Sequence, residues 1–570
     1  VSAPGKIVVI GGGLAGITAA IALSETGADV TLAEARPRLG GATTSFSRGG
    51  LMVDNGQHVF LRCCVAYRGL LARLGMTGAV ALQDRFDVTV LAPGGRARLR
   101  RTALPGPLHM GQALMGYGFL SRAQRLRVAR AALAMAALNP AKPELDRQRL
   151  GDWLAAHGQD ERTRRLLWDL FTVSALNVDG DDANLSLAAT VVKTALLGAR
   201  DAADIGVPSV PLGVLHGQAA GALLARLGAQ VRLSAKVAAI EVLPGGPGPR
   251  FRVRLAGRRG GDLAPAGGAA PDGTSLDGTP LEGASPDGAA RHGAELDGAD
   301  LDGAGEVIEA DGVVLAVPPA VAARLAPAGT VSPGTVGPGT VGPGTVGPGT
   351  VGPGTAWEPA AAGGGHGPAA QPGPEQWREL ATSPIVNVHV IYDRRVTRLP
   401  FAAAVDSPVQ WVFDRTGPSG LRSGQYLAVS LSAADGYVDV PASALRERFL
   451  PAMADLFPAA RDARVTDFFV TRERRATLRQ VPGCERLRPG AATARPGLVL
   501  AGAWTDTGWP DTMEGAVRSG LNAARVLRRG LAVPAGGLRP RDPGRAGRPA
   551  RVNGSDPVTE PGPAGAGATA

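Results

Sequence analysis

Residues 6–34 read KIVVIGGGLAGITAAIALSETGADVTLAE, and this stretch decides the fold. A short β-branched run ending at Ile10 gives way to a glycine turn, an amphipathic stretch from Leu14 to Thr26, and a second apolar run over 29–32. That succession is one βαβ unit. Within it Gly11, Gly13 and Gly16 supply G-x-G-x-x-G directly after a strand and at the mouth of a helix. There the bare backbone N–H groups around Leu14 and Ala15, with the helix dipole, can hold a pyrophosphate. Glu34 closes the second strand about 20 residues on, where a carboxylate accepts hydrogen bonds from a ribose and disfavours a 2′-phosphate. The unit predicts an α/β protein with a Rossmann-like dinucleotide-binding domain, and by itself leaves NAD and FAD both open.

Moving outward, Arg38-Leu39-Gly40-Gly41 resembles the second glycine motif of flavoproteins of the amine oxidase class. That motif normally ends in Arg, and here the position is Ala42; the paired glycines still permit close backbone approach to a cofactor. At the far end, Leu498 to Trp504 reads as a strand ending in a turn at Gly502, and Thr512-Met513-Glu514-Gly515 opens a helix whose amides suit a flavin's anionic edge. The residue after Gly502 is usually Asp in this pattern; Ala503 stands there, and Asp506 is the expected substitute. Residues 234–241 resemble the internal strand whose valine, here Val237, pairs through its backbone with adenine, and 313–319 resemble a later strand near the cofactor. An NAD-linked dehydrogenase would leave the C-terminal glycine motif without a function, so FAD is the expected cofactor.

Asp54-Asn55-Gly56-Gln57-His58, continued by Val59 to Cys64, is the most specific local signature, together with Trp504 to Pro510. Through these segments the chain is similar to the hydroxysqualene dehydroxylases, also described as squalene-associated FAD-dependent desaturases, over residues 6–255, 306–325 and 377–529. The resemblance implies reductive removal of the hydroxyl of hydroxysqualene to give squalene, on the route to hopanoids, with an apolar isoprenoid as the partner molecule. Losing an allylic hydroxyl needs a proton donor and a hydride source, so bound FAD plus one acid suffices. Asp54, His58 and Asp511 are the candidate acids. A phytoene-desaturase-like carotenoid desaturase or amine-oxidase-type flavoenzyme is the alternative, and a non-catalytic flavoprotein or scaffold is a different class.

The expected organisation interleaves a Rossmann-like FAD-binding domain with an α+β substrate domain. Cofactor segments fall at 1–95, 206–330 (with a low-complexity insertion at about 256–305) and 486–530. Substrate segments fall at 96–205, which is helical, and 376–485. Residues 331–375 form an elastin-like insertion repeating Gly-Thr-Val-Gly-Pro, and 531–570 a Pro, Gly and Arg-rich tail expected to be disordered. Helices 104–200 and strands 385–430 could wall an apolar tunnel, with Leu166, Leu167, Trp168, Leu170 and Phe171 as candidates. Ser121 is a good N-cap for a helix over 122–138, expected to pack one face on its own domain, ahead of resting on a membrane.

The formal net charge is +10, almost all of it from Arg. No basic helix interleaved with aromatics and no zinc-finger spacing accompanies it, so no nucleic acid is expected and attraction to a membrane surface is the expected use of the charge. Cys63, Cys64 and Cys484 form no C-x-x-C pair, and the seven His are scattered without H-E-x-x-H, which predicts a reducing compartment and no metal. No apolar run reaches about 18 residues, so a cytoplasmic protein is expected, placed at the inner face of the membrane if peripheral. The electron donor has no signature in the sequence.

Overall fold

The computed structural model describes residues 5–104, 108–244, 250–257, 305–331 and 371–531. The first strand, Lys6–Ile10, is buried on both faces because it lies in the middle of a five-stranded parallel sheet. The strand order is Gln230–Arg232, Asp29–Ala33, Lys6–Ile10, Gly312–Leu315 and Leu498–Leu500. Four well-separated stretches of chain thus build one Rossmann-like sheet.

Helix Leu14–Ser24 is not amphipathic, as its spacing suggested, but buried almost all round. It is sandwiched between this sheet and the C-terminal helix Met513–Gly530. Small residues make the sandwich possible: a Cβ on Gly520 would sit 2.3 Å from the carbonyl oxygen of Ala15. The C-terminal helix is thereby fixed against the helix that follows the glycine loop, which brings residues 500 apart in sequence to one edge of the sheet.

The expected run over 230–243 is broken into two strands, Gln230–Arg232 and Val237–Val242, at Ser234, whose φ is +53°. The second half joins Phe251–Leu255 and Val307–Ala310 in a three-stranded antiparallel sheet. Arg254 pairs with Val307, so the chain leaves for the Gly- and Asp-rich tract and returns at adjacent points of one hairpin. Likewise a Cβ on Gly373 would lie 3.1 Å from Val331 Cγ2, so the elastin-like tract also departs and returns locally. Both tracts, like the tail after Leu531, lie outside the described residues. Because each begins and ends at neighbouring positions, replacing 258–304 by a turn of about four residues is expected to leave FAD content unchanged and the thermal midpoint within a few degrees. Thermal unfolding followed by flavin release checks it.

The other large sheet has seven strands, in the order Val465–Leu478, Thr382–Tyr392, Gln425–Leu431, Trp411–Asp414, Phe401–Ala404, Asp87–Ala92 and Gly95–Arg100. Its neighbours are antiparallel except for Phe401–Ala404 beside Asp87–Ala92. Period-two alternation sends Phe401 and Ala403 into one core with the helices of 108–196, and Ala402 and Ala404 into another with helix Ala442–Leu456. Asp87–Ala92 falls inside the expected first cofactor segment, yet Val88 and Val90 pack with the helices on this sheet. Helix Arg122–Ala137 is capped by Ser121, whose Oγ accepts the Gln124 N–H while Gln124 Oε1 accepts the Ser121 N–H.

Candidate functional site

The glycine loop is over-determined by contacts. Gly11 has φ +105°, and a Cβ there would meet the Ala316 carbonyl oxygen at 2.2 Å; a Cβ on Gly16 would meet the Gly11 carbonyl oxygen at 1.9 Å. No side chain caps helix Leu14–Ser24, whose N-cap is Gly13, so the first-turn amides around Leu14 and Ala15 are left for a ligand. Gly40 and Gly41, both with positive φ, fold over this end: Gly40 donates its N–H to Gly12 O, and a Cβ on Gly41 would sit 2.8 Å from Gly13 Cα. Glu34, buried at the end of its strand, accepts the N–H of Gly12 on Oε2 and that of Arg36 on Oε1. Each oxygen keeps a lone pair for a hydroxyl. Bare amides facing a glycine cradle, with a fixed carboxylate one strand away, fit the pyrophosphate and ribose of FAD.

Arg38 donates from Nε to Thr44 Oγ1 at 2.7 Å, bracing the loop that carries the paired glycines. Val237 is buried at the start of its strand, just after Ala235, whose N–H donates to Glu34 O. At the C-terminal edge Gly502 has φ +138° and donates its N–H to Ser519 Oγ. Asp506 Oδ1 accepts the Gly508 N–H within the same turn. Met513 begins its helix behind Thr512, whose Oγ1 accepts the Gly515 N–H, leaving the Met513 amide at the positive end of the dipole.

Glu514, expected at the cofactor, has its carboxylate elsewhere. It accepts the N–H groups of Ala66 and Tyr67, the first turn of helix Val65–Arg73, and Arg518 Nε at 2.8 Å. The side chain is a buried helix cap.

The three candidate acids are separated into different environments. Asp54 is buried and accepts Ser45 Oγ at 2.6 Å, the Leu212 N–H at 3.0 Å and Arg415 Nη2 at 2.6 Å. Both oxygens are taken up by three donors, one a buried guanidinium, so the geometry makes Asp54 an ion pair pinning the motif rather than the acid expected of it. His58 Nδ1 lies 3.2 Å from Gly56 O. A carbonyl only accepts, so Nδ1 carries the proton and Nε2 is left as an acceptor. Burial lowers the His58 pKa, against the raising pull of the Gly56 carbonyl and of Asp54 and Glu473, which favours the neutral ring.

Asp511 differs from both. Its Oδ2 accepts the Leu478 N–H at 2.6 Å, and no described residue bonds Oδ1. Burial raises its pKa, outweighing the lowering by the Leu478 amide and Arg488. In the protonated form the hydrogen would sit on Oδ1, the oxygen that accepts no N–H. Asn55 Nδ2, next to Asp54, reaches Glu473 on the strand that Leu478 ends, so roughly 16 Å of extended chain lies between the two clusters.

Asn387 and Arg488, which sequence reasoning missed, and Gln57 of the signature lie beside these groups. Asn387 Oδ1 and Gln57 Nε2 are buried without a hydrogen-bond partner, as is Arg488 Nε. Arg488 Nη2 clamps the turn after Gly502 through the carbonyl oxygens of Ala503, Thr505 and Trp509, each at 2.8–2.9 Å. Asn387 Oδ1 and Gln57 Nε2 lie at the Asn55 turn and Arg488 Nε at the turn after Gly502, and at either a polar ligand could complete the bonding. Leu166, Leu167, Trp168 and Leu170 are buried, and Phe171 packs against them, in the core shared by the helices and the seven-stranded sheet.

The family model described as flavin containing amine oxidoreductase matches residues 14–263 and 363–528. A hydroxysqualene dehydroxylase of Rhodopseudomonas palustris is 28% identical over 530 residues, covering 91% of this chain and 97% of that protein. One from Sinorhizobium fredii is 26% identical, with 91% and 98% covered. A zeta-carotene desaturase of Synechocystis is 33% identical, but over only 18% of this chain and 21% of its own length. Among solved structures, cyclohexylamine oxidase from Brevibacterium oxydans superposes with a TM-score of 0.56 at 18% identity, covering 93% of this chain and all of its own.

Proposed function

This chain belongs to the flavin-containing amine oxidoreductase family and is an FAD-dependent oxidoreductase, and from that premise we propose that it reductively dehydroxylates hydroxysqualene to squalene. The observation that carries this reading is the end-to-end likeness to hydroxysqualene dehydroxylases, set against likenesses to carotenoid desaturases that cover 18% to 33% of the chain. The glycine cradle, Glu34 and the Met513 amide would hold FAD, which when bound and reduced supplies a hydride.

The balance assigns the remaining work to the chain. The allylic C–O bond breaks, a C–H bond forms, and the oxygen leaves as water with one proton from an acid. Asp511 presents that proton on Oδ1. The buried Asp54–Arg415 pair holds the Asn55 to His58 turn, and the apolar core around Leu166 to Phe171 would exclude water from the isoprenoid. Two electrons are consumed per turnover, so an external reductant completes the cycle.

The test mixes photoreduced, anaerobic protein with dispersed hydroxysqualene, follows flavin absorbance and extracts the lipid. Flavin reoxidation matched one-to-one by squalene is the expected result. Stable reduced flavin with unchanged lipid removes this reading and transfers it to an oxidative isoprenoid desaturase.

A further inference from the structure

Large apolar side chains left in solvent concentrate in one stretch: Leu104 is 48% exposed, Leu108 61%, Met115 58%, Leu126 55% and Leu133 62%. Apart from Leu104 they lie on two helices that touch each other, Leu108–Met115 and Arg122–Ala137, joined by a hydrogen bond from Arg125 Nη1 to Met115 O. At 100° per residue, Val128, Ala131 and Met135 share one side of the longer helix, and all three are buried. Leu126 and Leu133 lie on the opposite side with Arg122 and Arg130, all four exposed. The helix therefore has two distinct faces. It packs one face on its own core and turns a second, mixed face outward.

No acidic residue occurs between Asp87 and Glu144, while Arg96, Arg98, Arg100, Arg122, Arg127 and Arg130 do. The cations here are not all free: Arg127 lies 3.8 Å from Asp160, and Arg98 and Arg100 pair with Asp87, whereas among the described residues no carboxylate pairs with Arg122 or Arg130 beside the two leucines. Leu126 and Leu133 flanked by the unpaired Arg122 and Arg130 match a bilayer surface, where the leucines reach the acyl boundary and guanidinium groups meet phosphates. We propose that this face docks on an anionic phospholipid bilayer.

The inner side of the same helices, Val128, Ala131 and Met135, packs into the core that contains Leu166, Leu167 and Trp168. An isoprenoid dissolved in the bilayer would meet the protein where its path to that core is shortest. This last step rests on the substrate proposed above; the docking itself does not.

Flotation of the FAD-loaded full chain with vesicles of phosphatidylcholine alone, or mixed with phosphatidylglycerol, tests the docking. Binding to the anionic vesicles is expected, weakening with salt and falling roughly fivefold for each of Arg122→Gln and Arg130→Gln. The double variant Leu126→Glu, Leu133→Glu is expected to bind at least tenfold less while retaining its flavin and its activity on detergent-dispersed substrate. Undiminished binding by the leucine variant overturns the proposal. So does absence of wild-type binding, including the case where the leucine changes instead convert a dimer to a monomer in sedimentation. Wild-type protein that floats with anionic vesicles but never forms squalene supports the docking and overturns only the substrate reading.

Discussion

Replacing Gly16 with Ala is expected to yield a nearly colourless protein, with FAD affinity lowered roughly a hundredfold. The methyl group would fall 1.9 Å from Gly11 O and 3.3 Å from Ala316 Cβ. Neither neighbour can yield: Gly11 is itself pressed against the Ala316 carbonyl, on a strand in the centre of the parallel sheet. The helix must move instead, and its other side is blocked by Met513–Gly530, where Gly520 already touches Ala15 O. Overpacking of this kind costs about 1–3 kcal/mol, and any shift displaces the first-turn amides around Leu14 and Ala15. The loss thus falls on the cofactor before it falls on the fold. Circular dichroism like the wild type's, with flavin absent after gel filtration, is the expected pair of readings. Full flavin occupancy in the variant would mean that the loop does not hold the pyrophosphate.

The parts of this site that could be read from sequence are those whose partners are close along the chain. The glycine motif, Glu34 and the Ser121 cap are each marked by residues a strand or a turn away, although Ala316, which closes on Gly11, is not among them. Asp54 looked like an available acid because the residue that occupies it, Arg415, lies 361 positions downstream. Glu514 has the same history: the amides it caps belong to Ala66 and Tyr67, more than 440 residues earlier. In a sheet assembled from four distant segments, a buried carboxylate cannot be told from a catalytic one until its donors are known. Strand Val465–Leu478 was missed for a different reason. It is an edge strand whose second half, Thr471 to Thr477, is dominated by Arg, Glu and Thr, so it lacks the apolar run that marks the buried strands. Yet this polar edge carries Thr471 and Glu473 to the Asn55 turn and Leu478 to Asp511.

Asp511→Asn is expected to keep FAD and slow squalene formation on the order of a hundredfold or more. The exchange is close to isosteric, and the amide oxygen can still accept the Leu478 N–H, so the C-terminal turn has no reason to rearrange. Burial raises the Asp511 pKa, so the acid form persists to higher pH than in an ordinary aspartate and disappears as pH rises through the raised value. Wild-type turnover should therefore fall on the alkaline side with that pKa, and the Asn variant should lose this limb of the profile. The same shift fixes the stability readout. A carboxyl with a pKa higher folded than unfolded binds its proton more tightly in the native state, and the stabilisation is lost as pH rises through the folded pKa. Above that pH the charged Asp511 burdens the fold and the neutral Asn does not, so the variant's thermal midpoint should match or exceed the wild type's. A purely structural role for Asp511 predicts the reverse, a lowered midpoint with an unchanged pH profile. If both the rate and the alkaline limb survive in the Asn variant, Asp511 is not the acid. His58 does not inherit the role in its neutral form, since its one proton is given to Gly56 O and Nε2 can only accept. The proton would then have to arrive through water or the cofactor itself, and the profile of His58→Gln would separate those routes.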